Sequence, residues 1–195
     1  MGNGRMVQSC GDAADNPNVA TSTLLTAPTD SQIYTALGEW MKTVLPAGTD
    51  IMQGQLNQTA QPIGPYCIMF LIARRRLATN SCTYTATERI VVEPTELTIQ
   101  VSVFGNGAGN AVSVVQSLWR DLYAADFLTA NGGILAPLYS SEPRQMQFVN
   151  GERQYEDAWS VDLKAQVNFT TTLPQQSATK LTVESFVANR PSTQE

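Results

Sequence analysis

The sequence predicts an α+β fold: an antiparallel or mixed β-sheet with two main helices packed on one face and a flexible N-terminal arm. Three observations predict it. Two segments carry apolar residues at helical spacing, around 30–46 and 110–126. Two others, 97–104 and 155–169, alternate apolar and polar residues with period two. The order is helix, strands, helix, strands, with no internal repeat and no linker that would split the chain. A length of 195 residues suits one domain with a sizeable core.

Residues 1–28 are polar, rich in Gly, Asn, Asp and Thr, and without periodicity, so they read as the arm. The domain is expected over 29–190, with 191–195 as a tail. "TDSQIYTALGEWMKTVLP" reads as the first helix, capped by Asp30 or Ser31. Its apolar stripe is Ile33, Leu37, Trp40, Met41 and Val44 or Leu45, and Pro46 and Gly48 end it. "DIMQGQLNQTAQPIGP" has turn punctuation and reads as a loop. "YCIMFLIARRRLA" reads as a central strand whose end is exposed. "SCTYTATERIVVE" is expected to pair back on it through a turn at Thr79-Asn80. After Pro94 comes the strand Leu97–Phe104, half-exposed by its alternation.

The helix Asn110–Asp126 follows, with Val112, Val115, Leu118, Trp119 and Leu122 as its buried face. "PRQMQFV" is a short strand, and Asn150-Gly151 suits a tight hairpin turn. The clearest strand is in "QYEDAWSVDLKAQVNFTT": Trp159, Val161, Leu163, Ala165, Val167 and Phe169 alternate with polar residues. Eleven such residues span roughly 37 Å. "TKLTVESFVAN" reads as a last short strand.

Composition narrows the chemistry. There is no histidine, which removes the commonest general base and metal ligand. Charged residues make up only 15% of the chain, and the net charge is −5. That argues against a broad nucleic-acid footprint and suits a neutral polar surface covered by partners. The three cysteines, Cys10, Cys67 and Cys82, form no C-x-x-C pair, so reduced thiols are expected, with Cys67 as a small core residue. The start "MGNGRMVQSC" has no signal-peptide core, and the longest apolar run, "YCIMFLIA", is eight residues. No membrane contact and synthesis in a cytoplasm are expected.

Three patterns could carry chemistry. "FGNGAGNAV" follows a strand and opens a helix, as a dinucleotide site would. Gly105 and Gly107 fit that fingerprint, but Asn110 stands where its third glycine belongs, and no lysine supplies a Walker loop. A turn with Asn110 as helix cap is the better reading. Glu152, Glu156, Asp157 and Asp162 are carboxylates, but Glu156 and Asp162 lie about six strand rises, roughly 20 Å, apart and cannot form one acid/base pair. G-x-S-x-G is absent. Trp40, Trp119 and Trp159 sit on apolar faces and read as core. Arg74, Arg75 and Arg76 are the basic cluster, with Arg74 and Arg76 on one strand face and Arg75 on the other. They serve a solvated strand end or an interface rim. No catalytic, cofactor or metal residues are assigned.

One segment goes further. "PLYSSEPRQMQFVNGERQYEDAWSVDLKAQVN", Pro137 to Asn168, resembles the neck-terminator (tail-terminator-like) family of tailed bacteriophages. The resemblance lies in Pro-Leu-Tyr at 137–139, Glu-Pro-Arg at 142–144, Asn-Gly-Glu at 150–152, Gln-Tyr-Glu at 154–156, Trp159, Gln166 and Asn168. "VSVFGNGAGNAVSVVQSLWRDLYAADF" and "LGEWMKTVLPAGTDIMQGQLNQTAQPIGPYCIMFLI" are similar to that family's preceding elements, so the likeness covers roughly 30–187. Ala158 stands where the family often carries arginine.

The resemblance implies a structural virion protein with no enzymatic activity and no cofactor. It implies a ring of identical subunits, sixfold as a rule, on the end of the tail tube. Its partners would be the tail tube protein and the head-completion or adaptor proteins of the neck, with genomic DNA passing through the lumen without specific binding. The candidate interface residues are Arg74, Arg75, Arg76, Tyr155 and Glu156. The alternatives are a head-tail adaptor or tail tube subunit, and, from another class, a hydrolase whose carboxylates meet only in the fold.

Overall fold

The computed structural model describes residues 25–55, 62–149 and 155–175, and in these the α+β expectation holds: an eight-stranded mixed sheet carries three helices. The chain enters through β1, Leu25–Ala27, which lies inside the stretch expected to be arm and pairs with Thr170–Thr172. Residues 1–24 lie outside the described residues. α1 spans Asp30–Val44, and its cap is Thr29, one residue earlier than expected. Thr29 Oγ1 accepts from the Gln32 amide at 3.3 Å, while Gln32 Oε1 accepts from the Thr29 amide at 2.8 Å. This reciprocal pair satisfies two donors that a helix start leaves orphaned. Ile33, Leu37, Trp40 and Met41 are buried, as their spacing requires.

The segment read as a loop contains a strand: β2, Asp50–Gln53, runs parallel to β3, Tyr66–Arg76. Four residues give too little alternation to announce a strand; pairing with β3 supplies its hydrogen bonds. In β3 the register slips at Ile72, which is half exposed. Opposite β5, Leu71 stands beside Ile99 and Ala73 beside Thr98, so one extra residue bulges. β4, Ser81–Tyr84, does not pair back on β3 as expected but on β5, Glu88–Phe104.

β5 is 17 residues long and runs straight through Pro94, which reads as a break in the sequence. A proline is tolerated in a strand where its missing N–H faces no neighbour. Here the Pro94 carbonyl accepts from the Leu77 amide at 2.9 Å, on the side where β3 ends and β4 begins. The missing donor therefore faces the gap between two strands.

The turn Gly105 to Gly107 leads into α2, Ala108–Trp119. Gly105 has φ +103, and a Cβ there would stand 3.0 Å from Pro65 Cα, so the residue is fixed by both backbone and packing. Gly107, at φ 82, is the cap, and Asn110 lies inside the helix. The expected single helix is two, because Asp121 starts a new one: its side chain accepts from the Tyr123 amide at 2.9 Å, and α3 runs Leu122–Ala130. The restart changes the phase, leaving Leu122 69% exposed rather than buried.

β6 (Ala136–Ser140), β7 (Arg144–Gln145), β8 (Phe148–Val149) and β9 (Tyr155–Glu156) lead to β10, Ala158–Pro174. The turn at Asn150-Gly151, the last strand and the tail after Arg190 lie outside the described residues.

β10 and β5 pair antiparallel along their whole lengths, Ala158 beside Phe104 and Pro174 beside Glu88. Seventeen residues at ~3.4 Å make a ribbon roughly 55 Å long. The main order is β1-β10-β5-β3-β2, with β6 and β7 on the outer side of β10 and β4 on the far side of β5. One face of the ribbon presents Leu97, Ile99, Val101, Val103, Val161, Leu163, Ala165 and Val167 to the helices, all buried. Trp40 and Trp119 meet edge to face in that core, centroids 5.0 Å apart at 71°.

The other face is polar along Glu96, Thr98, Gln100 and Ser102 and turns apolar at the Phe104 end. There Tyr66 stacks on Phe104 at 4.6 Å, Phe104 meets Phe148 edge-on at 4.9 Å, and Ala158 is fully buried beneath them. Thus the β8–β9 hairpin closes a second small core on the face the helices leave open.

Candidate interaction surfaces

The three arginines end β3, and the bulge at Ile72 decides where each points. Arg74 is opposite Leu97, on the helix face, and Arg75 is opposite Glu96, on the polar face. The alternation expected for Arg74, Arg75 and Arg76 holds. None of the three is free. Arg74 bonds Asp30 at the start of α1 and lies over the Phe169 ring at 5.0 Å. Arg76 Nε donates to the Ala78 carbonyl at 2.9 Å. Arg75 Nη2 donates to Glu96 Oε2 at 2.8 Å, and this bond with the carboxylate raises the Arg75 pKa further.

Glu96 is the residue the sequence reading missed. Its side chain is 5% exposed, although it lies on the polar face. Arg75 and Lys164 cover it, Lys164 Nζ standing 3.7 Å from Oε1 and bonding Thr98 as well. A buried carboxylate needs such partners to remain charged. The available signal was a glutamate within a mostly apolar strand; Arg75 stands opposite it on β3, and Lys164 lies diagonally on β10, opposite Thr98.

Tyr155 and Glu156 lie elsewhere. They form β9, just before Ala158, which stands opposite Phe104, whereas the arginines stand opposite Thr95 to Leu97. Eight strand rises, roughly 27 Å, separate Glu96 from Phe104. The five candidate interface residues therefore form two separate patches, the arginines beside the middle of the ribbon and Tyr155 and Glu156 at its Phe104 end. Tyr155 is 86% exposed and lines an open groove of about 530 Å³ with Met146, Phe148 and Glu156. Arg74 and Arg76 line another, of about 410 Å³, with Glu93, Phe169 and Thr171.

Of the other carboxylates singled out in the sequence, Glu152 lies outside the described residues, and Asp157 and Asp162 hold structural bonds. Asp162 accepts from Arg144 at 2.9 Å, and Asp157 accepts from the Trp159 indole at 3.0 Å. Trp159 is half-buried against the main core, while Trp40 and Trp119 are fully buried. Glu142 is bonded by Gln116 and Arg120, which hold its pKa below the usual carboxylate value. Among the described residues no three Cys, Asp or Glu side chains gather to hold a metal ion.

The glycine turn is packed, not a cradle: besides the Gly105 contact with Pro65, a Cβ on Gly109 would stand 3.0 Å from the Trp159 ring. Cys67 is fully buried, and burial pushes its thiol up to about 12; Cys82 is exposed. Cys10 lies outside the described residues. No helix among them is long and apolar enough to cross a membrane.

Fold and surface together define an α+β domain with a long paired ribbon backed by helices. Residues 31–189 match the model of the phage neck terminator protein, and the chain belongs to that family of bacteriophage structural proteins. The match begins inside α1 and spans the rest of the described fold. Among solved structures, the chain is similar to the sheath/tube terminator of an extracellular contractile injection system, PVC, in its extended state. The TM-score is 0.43 and the identity 15%, over 86% of this chain and 66% of that one. No curated protein matches.

Proposed function

We propose that this protein is a phage tail terminator: a ring-forming subunit that caps the tail tube in the neck and joins it to the head-completion proteins. The family match over residues 31–189 carries the reading. The architecture supports it. A ribbon paired over 17 residues and backed by helices is a stiff wedge, suited to packing beside copies of itself. Its two candidate patches are roughly 27 Å apart along the ribbon, which leaves room for two different partners.

In this reading one rim, with Arg74, Arg75 and Arg76, and the other, with Tyr155 and Glu156, face the tube and the neck proteins. The net charge of −5 lets DNA pass through the lumen without adhering. The protein is made in the host cytoplasm and ends in the virion, without membrane contact. Electron microscopy of virions carrying a labelled copy tests this directly. Label at the capsid–tail junction is expected; label along the tube, or absent from particles, contradicts the proposal.

A further inference from the structure

Beyond the helices the sheet continues as four antiparallel strands, β4-β5-β10-β1. Ile90 stands beside Thr83 on one side and Thr172 on the other, and Thr172 stands beside Leu25. β4 and β1 are therefore the two edges of one extension, at the same height. Among the described residues neither edge has another strand on its outer side.

The hydrogen-bond alternation shows which groups face out. The Pro94 carbonyl bonds Leu77 and the Glu88 carbonyl bonds Thr85, at 2.9 and 2.8 Å, so even-numbered residues of β5 point away from β10. In an antiparallel pair, residues facing each other alternate between bonded and non-bonded. Ser81 and Thr83 are then bonded to β5, and the backbone groups of Cys82 and Tyr84 point outward. The same alternation bonds Leu25 and Ala27 to β10 and turns the backbone of Thr26 outward.

Exposed edges are usually blunted by lysine, proline or a bulge. "SCTY" and "LTA" contain no charge and no proline. Direction matters as well. In an antiparallel sheet with an even number of strands, the two edge strands run opposite ways. A second copy, rotated about an axis along the strands, therefore brings its β1 antiparallel to the first copy's β4. An odd number would bring them parallel.

We propose that β4 of one copy pairs antiparallel with β1 of the next, so that the four-stranded extensions join into one continuous sheet around a closed ring. This rests on the terminator reading and names the contact that builds its ring. Thr26 and Cys82 project from the same face: Thr26 Oγ1 lies 3.5 Å from Thr171 Oγ1, and Thr171 and Cys82 both stand beside Val91. As a bonded cross-strand pair their Cα atoms would be about 5.5 Å apart, within disulfide reach.

The test is Thr26→Cys in a Cys10→Ser background, oxidised mildly and run without reductant. A ladder of covalent oligomers is expected, lost on adding Cys82→Ser. Tyr84→Cys with Cys82→Ser samples the neighbouring register. Cys82→Pro removes an outward N–H that β5 does not use, so a folded monomer without rings is expected. Rings that form but never cross-link at either position, or that survive Cys82→Pro, overturn the edge pairing and leave the terminator reading standing. A chain that stays monomeric with and without tail tube protein overturns both.

Discussion

Arg75 and Glu96 meet across β3 and β5 at 2.8 Å, joining a guanidinium that is 68% exposed to a carboxylate that is 5% exposed. The arginine stabilises the fold even though it stands at the surface. Arg75→Ser leaves Glu96 buried with Lys164 at 3.7 Å as its remaining cation. A clear loss of stability is expected in urea unfolding, because a buried charged group loses a partner. Arg76→Ser, whose bond is to one exposed backbone carbonyl, should cost under about 0.5 kcal/mol. Equal costs would contradict this division.

That asymmetry sets how the arginines can be tested as a rim. Replacing all three confounds folding with assembly. Arg76→Ser alone keeps the Arg75–Glu96 and Arg74–Asp30 pairs and still removes exposed charge. If the rim binds a partner, binding of the folded variant to tube or neck proteins weakens in a pull-down; unchanged binding removes Arg76 from the interface.

The two core tryptophans differ in one bond. Trp119 Nε1 donates to the Lys164 carbonyl at 3.0 Å, while Trp40 Nε1 has no hydrogen-bond partner among the described residues. Trp119→Phe loses ring volume and a hydrogen bond; Trp40→Phe loses ring volume alone. Trp119→Phe should cost about 1 kcal/mol more in thermal or urea unfolding. The reverse order would mean that the indole bond is not what distinguishes them.

Cys67 makes stability sensitive to alkali. Its folded pKa, about 12, is raised above the reference 9.0, so the unfolded thiol ionises first. Stability is intact below pH 9 and falls as pH climbs toward 12, by at most about 1.4 kcal/mol per pH unit. Cys67→Ala should flatten that decline. Under native conditions iodoacetamide should modify exposed Cys82 and leave Cys67 until the chain unfolds; modification of both at similar rates would contradict the burial.

Glu142 acts at the acid end. Its pKa is lowered by Gln116 first and Arg120 second, so its contribution is present above the ordinary carboxylate range and is lost as pH falls through the lowered value. The stability gap between wild type and Glu142→Gln should be present at pH 7 and close toward pH 3. A gap that persists at pH 3 would mean that charge is not its source.

Much of the fold was legible because periodicity is local. Alternation from Trp159 to Phe169 marked β10, and the stripe Ile33, Leu37, Trp40, Met41 marked α1, since each reports one face buried by neighbours. What escaped was set by distant partners. β2 exists because β3 lies beside it. Pro94 sits within a strand because β3 gives way to β4 at that point. The helix break came from Asp121, a capping residue inside an otherwise helical pattern. The triplet of arginines was visible, but its buried partner was not: Glu96 reads as an ordinary strand carboxylate until Lys164 and Arg75 converge on it. The separation of Tyr155 and Glu156 from the arginines was likewise hidden, because sequence distance says nothing about which ends of two paired strands coincide.

A tail terminator must close rings at a tube end. Negative-stain images of the purified chain, alone and mixed with its tail tube protein, measure this. Closed rings of uniform diameter, seated singly at the ends of tubes that then stop growing, are the predicted result. Particles that remain single subunits in both samples, or cylinders built from this chain alone, would contradict it.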